Sequence, residues 1–214
     1  MTYAQKLRAA LLDQLGKDWL VFMPRWDVQR RCAWQGKGGV PAALMLHHTA
    51  AAATDSVNPR AAGNQKGANR NVITYIQTHY EVPAASFTLD RDGTVYVHSA
   101  LPVWHAGLGT FQGKPPWNQL GIRADTANDH LLGVEIMSKG LKKDFTVAQQ
   151  DSLVFLLRAC RDASGWDNVG LLRRPQHKSW TTRKIDTRYS DAEIGAMITK
   201  YGFTDAVPDP SRDA

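Results

Sequence analysis

The sequence predicts an α/β fold: a single domain with one central mixed β-sheet flanked by helices. Three observations predict it. Short apolar runs of strand type are mixed in order with longer segments of helical periodicity. Two of the runs are joined by Arg91-Asp92-Gly93, a hairpin signal. The chain has 214 residues, without internal repeat or composition break, so one core with decorated ends is the economical reading.

The elements follow in order. Leu7, Leu11, Leu12 and Leu15 recur at helical spacing, which predicts a helix over 4–16 covering one flank of the core. A basic stretch with Trp26 and Trp34 follows and closes on the glycine-rich GKGG at 36–39. Residues 1–39 are therefore read as an N-terminal extension packed on the main body, 40–202, with a polar tail at 203–214. Residues 42–48 read as a strand entering the interior, 50–68 as a surface loop of small and polar residues, and 69–79 as a helix. Residues 86–90 and 94–98 form the hairpin, 100–130 a loop carrying Trp104, His105 and Trp117, and 131–137 a buried strand. A helix over 147–163 has Val147, Leu153, Leu156, Leu157 and Cys160 on its apolar stripe. A loop carries 176–186, and a closing helix spans 191–201, capped by Ser190 or Asp191, with Glu193 completing a capping box if Ser190 is the cap.

Composition excludes several classes. Lys and Arg number 26 against 20 Asp and Glu, a formal charge of +6 that favours polyanionic partners such as nucleic acid, anionic lipid or a phosphate-rich wall. The positive residues are scattered, without a basic tail or the aromatic interleaving of a base-stacking platform, so no nucleic-acid partner is expected. Two cysteines make no disulfide framework and no CxxC metal pair, and Cys160 reads as a core thiol. No run resembles a signal peptide or reaches the ~20 apolar residues of a membrane helix. The protein is expected to stay in the cytoplasm until something else releases it.

A hydrolytic zinc site wants three protein ligands and an open position. Candidates are His47 at the end of a buried strand, His177 at the start of a loop, and Asp186 nine positions later. His47 and His48 point to opposite faces of a strand, so only one of them can face such a site. Glu135, between Val134 and Ile136 in an apolar strand, must point into a cleft or be paired.

The motifs LMLHHTA, FTLDRDGTVY, WHAG, GVEI and QHKSWTTRKID occur in this order, and together they resemble the type 2 N-acetylmuramoyl-L-alanine amidase family over roughly residues 40–200. That family includes bacteriophage endolysins, wall-recycling amidases and animal peptidoglycan recognition proteins. The resemblance implies hydrolysis of the amide between N-acetylmuramic acid and the L-alanine of the stem peptide, with one zinc ion. It assigns His47, His177 and Asp186 as ligands, with His48 packed or hydrogen-bonded behind the strand. Glu135 becomes the general base and Lys184 the group that stabilises negative charge on the attacked carbonyl. His105 is similar to a histidine that lines the cleft near the metal and could bond substrate, while Trp104, Thr49 and Trp180 are expected groove residues because sugar rings and peptide stems suit aromatic faces with a few polar groups. Some phage members carry a tyrosine on the strand before the hairpin, where this chain has Ala85. The interval from His177 to Asp186 is one residue shorter than in many wall-recycling members and matches a phage-endolysin variant. The expectation is a monomeric lysis enzyme with peptidoglycan as its partner, held in the host cytoplasm until the membrane opens. A peptidoglycan-binding module without catalysis and a wall-recycling amidase are the alternatives. The filled ligand and glutamate positions favour an enzyme.

Overall fold

The computed structural model describes residues 1–50, 68–184 and 187–202. Most of the expected surface loop at 50–68, the Asp186 position and the tail lie outside the described residues.

Five strands make one mixed sheet: β1 (Leu20–Phe22), β2 (Ala43–His48), β3 (Phe87–Leu89), β4 (Val95–Val97) and β5 (Leu131–Ile136), in the order β1-β4-β3-β5-β2. The hairpin pair β3 and β4 is antiparallel, and the other three pairings are parallel. Helices α1 (Tyr3–Leu15), α2 (Ala68–Thr78), α4 (Val147–Ser164) and α6 (Asp191–Thr199) flank it, with single-turn helices α3 (Ala127–His130) and α5 (His177–Trp180) at strand ends. The expected fold class is the observed one.

Side-chain alternation divides the core. Leu44 and Leu46 of β2, with Leu132, Val134 and Ile136 of β5, face a cluster completed by Leu7 and Leu11 of α1, Leu153, Leu156 and Leu157 of α4, and Ile194 of α6. Ala43, Met45 and Leu131 face the other side, against Phe111 and Trp180. Further along that second face, Tyr96 and Met137 pack under Ile73 of α2. The odd-numbered row of β2 therefore ends at His47, and the odd-numbered row of β5 at Glu135. Parallel pairing sets these two residues side by side.

Helix ends follow local chemistry. Thr2 with Gln5, Thr146 with Gln149 and Ser190 with Glu193 form capping boxes, which decides for Ser190 over Asp191 as the last cap. Two residues leave their expected stripes: Leu12 is 38% and Val147 65% exposed. Leu12 follows Leu11 directly, so the 100° step between neighbours turns it out, and Val147 sits in the first turn of α4, ahead of the packed stripe. The β1 strand had no signature in the sequence, because three residues are too few to show alternation.

Candidate active site

The site lies where β2 and β5 end. Leu46 N–H donates to the Pro175 carbonyl at 2.9 Å, and Leu46 bridges Gln176 as a short parallel pair, so α5 begins just beyond the end of β2. The Gln176 side chain is buried and donates to the Tyr189 carbonyl and to Asp191, while Thr187 donates to it at 2.8 Å. Lys178 donates to the carbonyls of Thr187 and Tyr189. Both ends of the loop that carries Lys184 are thereby pinned.

These contacts bring His47 and His177 together, with their Nδ1 atoms 2.9 Å apart. His177 Nε2 lies 2.8 Å from the Ala106 carbonyl, which only accepts, so Nε2 carries the proton and Nδ1 presents its lone pair to His47. His105 repeats the arrangement. Its Nε2 donates to the Leu131 carbonyl at 2.8 Å, and its Nδ1 lies 3.2 Å from His47 Nε2. His47 has one ring proton when neutral and can donate it to only one of these two neighbours. The other contact then sets two lone pairs face to face, an arrangement that a shared cation relieves. Protonation is a poor remedy, because all three imidazoles are held well below their ordinary pKa. Burial is the main cause for each, and it brings His105 down to about 3 and His177 to about 4. Burial also depresses His47, followed by electrostatic opposition from His177, His105 and Lys184 to a further positive charge. Neutral imidazoles with carbonyl-fixed tautomers fit metal ligation.

Two glycines make room for these rings. A Cβ at Gly133 on β5 would meet the His105 ring at 2.6–2.9 Å, so only glycine lets that imidazole lie on the strand. Gly140, at φ +66°, lies against the His48 ring, where an added Cβ would clash with the imidazole.

Glu135 is half-buried beside His47 and lines two adjoining cavities. The smaller, about 300 Å³, also holds His47, His48 and Thr49. The larger, about 780 Å³, holds Trp104 and Gly107. Glu135, His105, His177, Arg183 and Lys184 border both. Trp180 is not at the groove: it is fully buried, its indole donates to the Gly107 carbonyl at 3.1 Å, and it packs on Phe111, so it supports the loop after His105. Ala85 is buried as well, and Ala84 is the residue that borders both cavities. Tyr75 and Arg183 line both cavities and escaped the sequence reading. Tyr75 stacks on His79 one helical turn away, a pair at i and i+4 that helical periodicity could have exposed. Arg183 donates to the Leu108 carbonyl at 2.8 Å and carries no local signal.

The mixed sheet with its histidine-lined cleft has the amidase and peptidoglycan-recognition fold. Residues 37–189 match the family model described as N-acetylmuramoyl-L-alanine amidase, and the chain belongs to that family. A crystal structure of an AmpD selenomethionine derivative is 19% identical over 80% of this chain and 93% of its own, with a TM-score of 0.50. A Drosophila PGRP-LB variant in complex with tracheal cytotoxin is 16% identical over 83% of this chain and 93% of its own, with a TM-score of 0.55. An endolysin amidase from Clostridium intestinale is 15% identical over 84% of this chain and 95% of its own, with a TM-score of 0.50. No curated protein sequence matches. No helix among the described residues is long and apolar enough to cross a membrane.

Proposed function

We propose that this chain is a zinc-dependent amidase that hydrolyses the bond between the lactyl group of N-acetylmuramic acid and the L-alanine of the stem peptide. The observation that carries the reading is the convergence of His47 Nδ1 and His177 Nδ1 at 2.9 Å beside Glu135, in a chain of the amidase family. His47 and His177 would hold the ion, with Asp186, outside the described residues, as the third ligand. Zinc there would supply Lewis acidity to the scissile carbonyl and to water.

The chain's own residues divide the remaining work. Glu135 takes a proton from the attacking water and delivers it to the leaving L-alanine nitrogen. Its place on β5, hydrogen-bonded on both sides by β2 and β3, fixes that carboxylate relative to His47. Lys184, exposed at the border of both cavities, stabilises the negative charge that develops on the carbonyl oxygen, with Arg183 adding to the positive field. His105, held neutral, lies close enough to His47 to orient it or to bond the substrate. Thr49 and Trp104 line opposite reaches of the cleft. The biological role we assign is phage-induced host lysis, in keeping with the +6 charge against an anionic wall.

The test is Glu135→Gln. It should retain zinc and wall binding while turnover falls by about two to four orders of magnitude, the usual worth of a positioned general base. Near-normal release of stem peptides by the mutant would assign the proton transfer to another group.

A further inference from the structure

Residues 20–32 precede the stretch that matches the family, which begins at residue 37, yet they are bonded to both flanks of the cleft. After β1, the Gln29 carbonyl accepts from Ser99 Oγ at 2.7 Å, and the Gln29 side chain accepts from Gln77 of α2 at 3.1 Å. Arg31 N–H donates to the Pro102 carbonyl at 2.9 Å. The Arg31 guanidinium then lies 3.7 Å from the centre of the Trp104 ring and forms an ion pair with Asp129 of α3. The next residue back, Asn128, accepts from the backbone N–H groups of His105 and Ala106, both at 2.8 Å. Trp104 is thus fixed by its own loop and by a planar cation over one ring face. It remains 41% exposed, and it borders the larger cavity but not the smaller one that holds His47. The open part of its ring therefore faces the larger cavity, whose border includes His177 but not His47.

We infer that Arg31 is a positioning residue, which holds Trp104 as a flat platform for a pyranose ring of the glycan strand beyond the muramyl residue. The inference rests on the amidase reading. Asp129 neutralises Arg31, so the arginine is no receptor for a substrate carboxylate, and the ligand surface it leaves is the apolar indole face. Such a face matches the C–H face of a sugar, and a ring already immobilised loses little freedom on binding. A lysine could keep the ion pair but not the planar stack. The N-terminal segment therefore takes part in choosing the substrate.

The test measures kcat and KM on two soluble fragments, a disaccharide-peptide carrying N-acetylglucosamine and the corresponding muramyl peptide without it. Arg31→Ala and Trp104→Ala should each raise KM for the disaccharide-peptide by about fivefold to tenfold, the scale of one cation–π or stacking contact, with kcat little changed. Arg31→Lys should fall between, and in Arg31→Ala the KM for the muramyl peptide should barely move. In a Trp104→Ala background, Arg31→Ala should add no further loss, because it acts through the ring. Additive losses, an equal KM rise on both fragments, or an unchanged KM would overturn the inference while leaving the amidase reading intact. Failure of the wild-type protein to cleave either fragment would instead overturn that reading, and this inference with it.

Discussion

At the residue scale the decisive pair is His47 and His48. Strand alternation shows in the sequence alone that only one of them can face a site, but it does not say which. The choice becomes legible once β2 and β5 are paired, since His47 shares its face with Glu135 while His48 packs on Gly140. If His47 and His177 are ligands and His105 a neighbour, His47→Ala and His177→Ala should each lose most bound zinc, whereas His105→Asn should keep about one equivalent. Metal analysis of the purified variants checks this. Zinc retained by His177→Ala would remove that residue from the ligand set. A second residue-scale expectation concerns His98, which is buried, donates from Nδ1 to Gln77 and accepts at Nε2 from Thr88. Burial lowers its pKa from 6.5 to about 3. The unfolded chain then binds a proton that the folded one refuses, so the stability this group contributes is present above pH ~6.5 and is lost as pH falls towards its folded value. Urea midpoints should drop between pH 7 and pH 5, and His98→Gln should flatten that slope. Arg31 and Arg183 had no readable sequence signal, because a lone arginine is indistinguishable from surface charge until its partner is known.

At the scale of elements, periodicity and turn chemistry carried most of the information. Helices α1, α2, α4 and α6, the hairpin and strands β2 and β5 are each where apolar spacing or a turn signature puts them, within a residue or two at their ends. What could not be read was β1, and the single turns α3 and α5, which owe their existence to tertiary pairing. Helix α1 illustrates the energetics: Leu7 and Leu11 are fully buried against α4 and the sheet. Leu11→Ala should cost about 3 kcal/mol, read as a lower denaturation midpoint, because it opens a cavity in the main core. Loss of less than ~1 kcal/mol would mean that the helix is only loosely docked. On β5, Gly133→Ala should preserve folding but displace His105, since the added methyl group would meet that ring inside contact distance. The expected readout is reduced turnover with an unchanged far-ultraviolet spectrum. Full activity would show that His105 need not lie on the strand.

For the whole molecule, the main core and the candidate metal position sit on opposite faces of one sheet. Chelation should therefore abolish activity and leave the fold largely intact, as followed by circular dichroism beside a turbidity assay, and added zinc should restore lysis. Global unfolding on chelation would mark the metal as structural. The family and the bond it cuts enter through five ordered motifs, none of which is decisive singly. Four of them converge in the structure, where His47, His105, Glu135 and His177 border one cavity. The most direct test is to digest purified sacculi with the wild-type protein and identify the new chemical ends. The account predicts new L-alanine α-amines in step with clearing, without new reducing sugar ends. Reducing ends without L-alanine amines would contradict it and would make the enzyme a glycosidase.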